Sequence, residues 1–85
     1  MMVSFSKDFV KRYRRLGKKL QCRVDDRMLL FSRDKFHPTL ENHPLHGKWQ
    51  GYRSINITGD YRAIYKDNDD FSYFVTLGTH SKLYS

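Results

Sequence analysis

Apolar and polar residues alternate at the start of the chain, then recur at helical spacing, then alternate again. The opening stretch "MVSFS" has the alternation of a short strand. "SKDFVKRYRRLGKK" follows with helix punctuation: Ser6 is placed to cap the N-terminus and Asp8 sits in the first turn. Phe9, Val10, Tyr13 and Leu16 share one face, Arg14 and Arg15 suit the C-terminal end of the helix dipole, and Gly17 is placed to close the helix. In "LQCRVDDRMLLFSRD", Leu20, Val24, Met28 and Phe31 again repeat at helical spacing. The short gap between the two patterns predicts an antiparallel helical hairpin.

All periodicity stops in "KFHPTLENHPLHGKW", which holds both prolines, three histidines and a glycine. It reads as a long loop, and loops of that length in a small domain are often functional. Beyond it the period becomes two. "YRSINIT" and "YRAIYK" flank Gly59-Asp60, a strong hairpin signal. A two-residue turn there sets Ile57 against Arg62 and Ile55 against Ile64, leaving Ser54, Asn56, Ala63 and Tyr65 on a more polar face. It also makes Arg53 and Lys66 like-charged neighbours across the strands. "KDNDD" is a second turn, and "FSYFVTL" is apolar on both parities, as a central strand is. The predicted fold is α+β in the order βααβββ: a small twisted, mainly antiparallel sheet, a helical hairpin on one face, and a second face left partly open.

Composition adds a partner. The 85 residues suit one domain, 1–85, that buries roughly 60–65% of its unfolded surface. Sixteen Lys and Arg against nine Asp and Glu give a net charge of +7. A domain this basic suits a polyanion, most often nucleic acid, although basic charge also serves solubility. Cys22 is the only cysteine, so no intrachain disulfide forms, and its helical setting reads as packing. With neither a signal-peptide pattern nor an apolar run near the ~20 residues of a membrane span, a cytoplasmic location is expected.

Candidate chemistry centres on histidine. His37, His43 and His46 lie in the loop and His80 follows the last strand. No pair has the spacing of a structural zinc site, and no metal or other cofactor is expected. The loop, the Gly59-Asp60 tip and the end of the last strand all border the open sheet face, which gathers His43, Asp60, Arg62, His80 and Tyr84. A cation there holds a phosphate, and two histidines or a His/Asp pair serve as base and acid. RNA carries its own nucleophile, the 2′-hydroxyl, so such a set needs only to align it, deprotonate it and protonate the leaving 5′-oxygen. Histidine suits both proton steps, with an unperturbed pKa of about 6.5. Plainer readings stand beside these: a loop histidine is often just solvated, Trp49 and Tyr52 are often loop anchors, and strand parity points Arg62 toward the helices.

"NHPLHGKWQGYRSINITGDYRAIY", followed by "GTHSKLY", resembles the RelE/ParE toxin superfamily, most closely its YafQ-like mRNA interferase branch. That branch carries His-Pro-Leu-x-Gly-x-Trp-x-Gly-Tyr-Arg before the hairpin and ends in Gly-Thr-His-Ser-x-Leu and an aromatic. The resemblance implies the RelE-like fold and a toxin that cleaves mRNA, as many members do in the ribosomal A site. His80 matches the histidine assigned as general acid, Tyr84 stands where phenylalanine is usual, and His43 matches the histidine before Pro-Leu. Asp60 matches the aspartate of the turn, Tyr61 takes a place often held by tryptophan, and Arg62 matches the arginine that contacts phosphate. Two positions depart from the branch: Asn56 replaces a histidine and Ser54 an acidic residue. Asn56 can hydrogen-bond a phosphate or hydroxyl but is no base, which leaves His43 and Asp60 as candidates.

The resulting expectation is the toxin of a type II toxin–antitoxin pair, a metal-independent endoribonuclease acting on mRNA at the ribosome and neutralised by a cognate antitoxin. Arg53, Lys48, Trp49, Tyr61, Asn56 and Lys82 are expected to bind RNA around the site. The alternatives are a ParE-like toxin that binds DNA gyrase without nuclease chemistry, and a silent remnant that still binds antitoxin.

Overall fold

The opening alternation forms β1 (Met2–Phe5), after which the chain turns at Ser6 into α1 (Lys7–Arg14). A computed structural model describes residues 2–84, so the two ends of the expected 1–85 domain lie outside the described residues. The chain continues through α2 (Lys18–Arg33), β2 (His43–Pro44), β3 (Arg53–Asn56), β4 (Tyr61–Asp67), β5 (Phe71–Thr79) and α3 (His80–Tyr84). Short 3-10 turns at Pro38–Leu40 and Gly47–Trp49 punctuate the long loop. The sheet runs β1-β5-β4-β3-β2, with β1 parallel to β5 and the other neighbours antiparallel. This is the expected α+β frame, extended by the two-residue β2 and by α3. Among the described residues, no helix is long and apolar enough to cross a membrane.

Ser6 joins the first helix to the sheet. Its Oγ accepts the Phe9 N–H at 2.9 Å, capping α1, and its hydroxyl donates to the Val75 carbonyl at 2.6 Å. The hairpin is tied by Tyr13, whose hydroxyl donates to Asp25 Oδ1 at 2.7 Å and whose carbonyl accepts from Gln21 Nε2 at 2.9 Å. Gly17, expected to close α1, instead opens α2 in an extended conformation, φ −65° and ψ 158°. Cys22, expected to pack, is exposed. It lies off the stripe of Val24, Met28 and Phe31 that α2 turns to the sheet.

That stripe packs with Phe9, Leu40, Ile55, Ile57, Ala63, Tyr65, Phe74 and Leu77 in the main core. Phe31 sets its edge against Tyr65 and Phe74, with ring centroids 5.0 and 5.1 Å away. Both Phe74 and Leu77 reach this core because β5 carries an irregularity opposite Ile64 and Tyr65: Thr76 pairs with Ile64, while Phe74 pairs with Tyr65. The extra residue, Val75, turns to the other side and re-phases the strand. Apolar residues on both parities of this segment follow from that bulge as well as from central position.

The β3–β4 hairpin differs from the sequence expectation by one residue. Ile57 N–H donates to the Tyr61 carbonyl at 2.9 Å, so residues 58–60 form the turn. Thr58 accounts for the extra residue: its Oγ1 accepts the Tyr61 N–H at 3.2 Å and the Asp60 N–H at 3.4 Å. Ile55 therefore pairs with Ala63, not Ile64, and Asn56 with Arg62. Ala63 and Tyr65 join the helix-side core, and Arg62 moves to the face of Ser54 and Asn56. Arg53 pairs with Tyr65, so the expected clash with Lys66 does not arise.

The second face is partly roofed. Leu45, Ile64 and Leu83 are buried there, with Trp49, Tyr52, Val75 and Tyr84 packed around them. The chain does not stop at Gly78 but turns into α3, which Thr79 opens by accepting the Lys82 N–H at 3.4 Å. Gly78 is the landing point: a Cβ built there would lie 3.4 Å from Leu83 Cδ2 and 3.5 Å from Arg12 Nη1, in contact with both α3 and α1.

Two stability predictions follow from this packing. Ser6→Ala should lose both the α1 cap and the bond to β5, lowering unfolding free energy by about 1–2 kcal/mol in urea titrations. Asp67 is held below the usual carboxylate range. Partial burial alone pushes it up, but bonds from Lys35 and Ser72 and the nearby positive charge outweigh that. A depressed carboxylate stabilises the fold above its unfolded pKa of about 3.9 and loses that contribution as pH falls through its lower folded value. Asp67→Asn should cost up to about 1 kcal/mol at pH 7, for a partly exposed pair, and the difference should vanish near pH 2.

Candidate active site

Residues directly opposite in a ladder share a face. His43 pairs with Ser54 and Ser54 with Ile64, making one row across the second face. The neighbouring row is Asn56, Arg62 and Gly78. The hairpin register thus sets His43, Ser54, Asn56 and Arg62 side by side.

Arg62 and Asn56 are the informative pair. Both are half-buried, and Arg62 Nη1 and Asn56 Oδ1 are shielded from solvent with no hydrogen-bond partner. A buried donor left unmade is costly, and a guanidinium more so. An anion with lone pairs and a hydroxyl satisfies both atoms, and a ribose phosphate supplies the two together.

His80 enters from α3. Its N–H donates to the Asp60 carbonyl at 2.9 Å, which fastens the helix start to the hairpin tip. Its ring meets Tyr84 edge-on with centroids 4.6 Å apart, and the Tyr84 hydroxyl donates to Ser54 Oγ at 3.0 Å. Tyr84 therefore links His80 to the row that carries His43. Trp49 holds the same helix from the other side, its Nε1–H donating to the Leu83 carbonyl at 3.1 Å.

His43 is exposed, and its Nδ1 lies 2.7 Å from the Glu41 carbonyl. A carbonyl only accepts, so Nδ1 carries the hydrogen, and in the neutral ring Nε2 keeps its lone pair. That is the tautomer a general base requires.

The other sequence candidates divide. Asp60 lies exposed at the hairpin tip, bound to His80 through its backbone. Lys82 is exposed on α3 and Lys48 is exposed in the second 3-10 turn. Trp49 is an anchor for α3, packed edge-on against Tyr52 at 5.4 Å. Tyr61 packs on the helix-side core. Arg53 faces that side as well, its Nε donating to Asn42 Oδ1 at 2.8 Å. Ser54 had signalled only a departure from the family pattern; its bond to Tyr84 depends on α3, which no periodicity announced. Beside the site, Lys11, Arg12, Arg15 and Lys82 line a groove of about 720 Å³ that runs past Thr79 between α1 and α3. Among the described residues, no group of three or more His, Cys, Asp or Glu side chains could hold a metal ion.

Residues 1–85 match the family described as bacterial toxin of type II toxin-antitoxin system, YafQ. The mRNA interferase toxin YafQ of Escherichia coli K12 is 41% identical over 44 residues, 52% of this chain and 48% of that protein. The match thus spans about half the length of the curated relative. The crystal structure of YafQ from E. coli BL21(DE3) superposes with a TM-score of 0.83 at 25% identity, covering 98% of this chain and 97% of that one. A chain of the E. coli DinJ-YafQ toxin-antitoxin complex gives 0.74 at 26% identity, covering 98% and 96%. The chain belongs to the YafQ family of bacterial toxins of type II toxin–antitoxin systems.

Proposed function

We propose that this toxin is an endoribonuclease that cleaves mRNA in the ribosomal A site by in-line attack of the 2′-hydroxyl. The observation that carries the reading is the unpaired Arg62 Nη1 beside the unpaired Asn56 Oδ1, flanked by two histidines. The curated E. coli relative named an mRNA interferase supports it.

Each residue takes a role from its placement. Arg62 holds the scissile phosphate and neutralises charge that grows in the transition state. Asn56 accepts a hydrogen bond from a ribose hydroxyl. His43 Nε2 takes the proton of the 2′-hydroxyl, the 2′-oxygen bonds to phosphorus, and the bond to the 5′-oxygen breaks. His80, charged beforehand, gives its proton to that leaving oxygen. Tyr84 fixes the His80 ring by edge contact, and the Asp60 carbonyl fixes the start of α3 that carries it. The products are a 2′,3′-cyclic phosphate and a 5′-hydroxyl. His43 rather than Asp60 is the base, because it stands in the row next to Arg62 with a free ring nitrogen.

The antitoxin is the second partner. A +7 chain attracts an acidic protein and speeds its encounter. The DinJ-YafQ complex is a precedent for such a partner.

Four outcomes test the reading. Induced alone, the wild-type chain should arrest growth and leave new transcript 5′ ends at translated codons. His80→Ala should lower cleavage by about 10²–10⁴-fold with an unchanged melting temperature, since the side chain is exposed. A folded His80→Ala protein that cuts at the wild-type rate refutes the general acid. Arg62→Lys should lose on the order of 100-fold in rate, because a point charge does not reproduce a planar fork of donors. Equal rates for Arg62→Lys and wild type refute phosphate binding there. Coexpression with the adjacent reading frame should restore growth; a harmless chain with no rescuing neighbour supports a silent remnant instead.

A further inference from the structure

His43 sits on a strand of two residues at the edge of the sheet, held on its C-terminal side by buried Leu45, whose N–H donates to the Tyr52 carbonyl at 2.9 Å. The β2–β3 ladder comprises only His43 with Ser54 and Pro44 with Arg53, and Pro44 has no N–H to contribute. An exposed imidazole on such a strand needs another source of order to serve as a base.

That order lies one residue earlier and on the opposite face. Alternation along a strand turns Asn42 under the sheet when His43 stands over it. Asn42 is bonded in three directions. Its Nδ2 donates to the Lys35 carbonyl at 3.0 Å and to the Tyr65 hydroxyl at 2.8 Å, and its Oδ1 accepts from Arg53 Nε at 2.8 Å. Its partners are themselves fixed. Tyr65 is fully buried in the main core, and burial holds its hydroxyl above the usual range, so it stays neutral. The Arg53 guanidinium lies over the Phe36 ring, 5.4 Å from its centroid. On the other side of Asn42, Glu41 adopts the left-handed conformation, φ 46° and ψ 45°, which a non-glycine residue keeps only when its surroundings enforce it. The Glu41 carbonyl is the acceptor that sets the His43 tautomer.

We propose that Asn42 is a positioning residue for His43: clamped by Arg53, Tyr65 and Lys35 beneath the sheet, it holds the Glu41 carbonyl and β2 so that the His43 ring presents an unprotonated Nε2 to the site. The proposal rests on the reading of His43 as the base. It also gives Arg53 a new task. Arg53 acts below the sheet as a strut and does not grip RNA.

The ring nitrogens of His43 report the clamp directly and independently of cleavage. Nitrogen-15 NMR, assigned with His43→Gln, should show wild-type His43 at high pH as the Nδ1–H tautomer. Asn42→Ala should shift it toward the Nε2–H form that free imidazole favours in water. On ribosomes programmed with mRNA, the same variant should slow single-turnover cleavage by about 10- to 100-fold, as small misplacements of a reacting group do, with the half-saturating concentration unchanged. Asn42→Asp keeps the acceptor for Arg53, and the Tyr65 hydroxyl can turn to donate to it, but a carboxylate cannot donate to the Lys35 carbonyl, so this variant should recover only part of the rate and the tautomer. Arg53→Met removes the strut without touching Asn42 and should move both readouts in the direction of Asn42→Ala. Should Asn42→Ala fail to fold, the Arg53→Met comparison carries the test. An unaltered tautomer in Asn42→Ala, or in Arg53→Met when Asn42→Ala does not fold, overturns the proposal. So does an Arg53→Met protein that binds RNA more weakly with its His43 ring unchanged. Wild-type protein that leaves RNA intact refutes the nuclease reading instead, and the ring nitrogens still decide whether Asn42 holds His43.

Discussion

Asn56 faces Arg62 across the β3–β4 ladder, and the arrangement of both sheet faces follows from that pairing. Side chains alternate with a period of two, so a slip by one residue exchanges the faces. In the alternative register, Arg62 would enter the helix-side core opposite Ile57, where a guanidinium without partners is costly to bury. The observed register sets Ile55, Ile57, Ala63 and Tyr65 against the helices and leaves Arg62 at the site. Thr58 enforces it locally by accepting two backbone N–H groups within the turn. The bulge at Val75 then lets β5 serve the same division, sending Phe74 and Leu77 one way and Val75 the other.

Polar groups between the sheet and the helices mostly find partners, although Arg27 Nε on α2 is buried without one. On the helix side, Ser6, Tyr13, Asn42 and Tyr65 all have hydrogen-bond partners. On the second face, Arg62 Nη1 and Asn56 Oδ1 do not. A small domain has little stability to spare for such atoms, and the proposed RNA ligand would satisfy the two on the second face. The roof over this face is also modest. Leu83 and Tyr84 hold α3 in place through Gly78, Trp49 and Ser54, which brings His80 to the hairpin tip without covering Arg62 entirely.

Much of the fold was legible because its signals are local. Ser6 and Asp8 announce a helix start, and the stripe of Val24, Met28 and Phe31 marks the face that α2 buries. The Gly59-Asp60 turn announces a hairpin but not its length, because the extra residue depends on where the Thr58 hydroxyl points. α3 was not legible: five residues carry no periodicity, and the helix exists through contacts with Trp49 and β5 distant in sequence. The expected gathering of His43, Asp60, Arg62, His80 and Tyr84 came from topology and the two motifs; in the structure Asp60 joins the others only through its backbone carbonyl. The side taken by Arg53 was not, since it depends on register and on an asparagine in a loop without pattern.

The central claim is that the RNA supplies its own nucleophile and the protein moves two protons. Chemical analysis of cleavage ends on a translated mRNA, alongside the same message carrying a single 2′-deoxynucleotide at the mapped position, tests it most directly. The account predicts 2′,3′-cyclic phosphate and 5′-hydroxyl ends, and no cut at the deoxy position. Ends bearing a 5′-phosphate, or cleavage of the deoxy message at the wild-type rate, would contradict it.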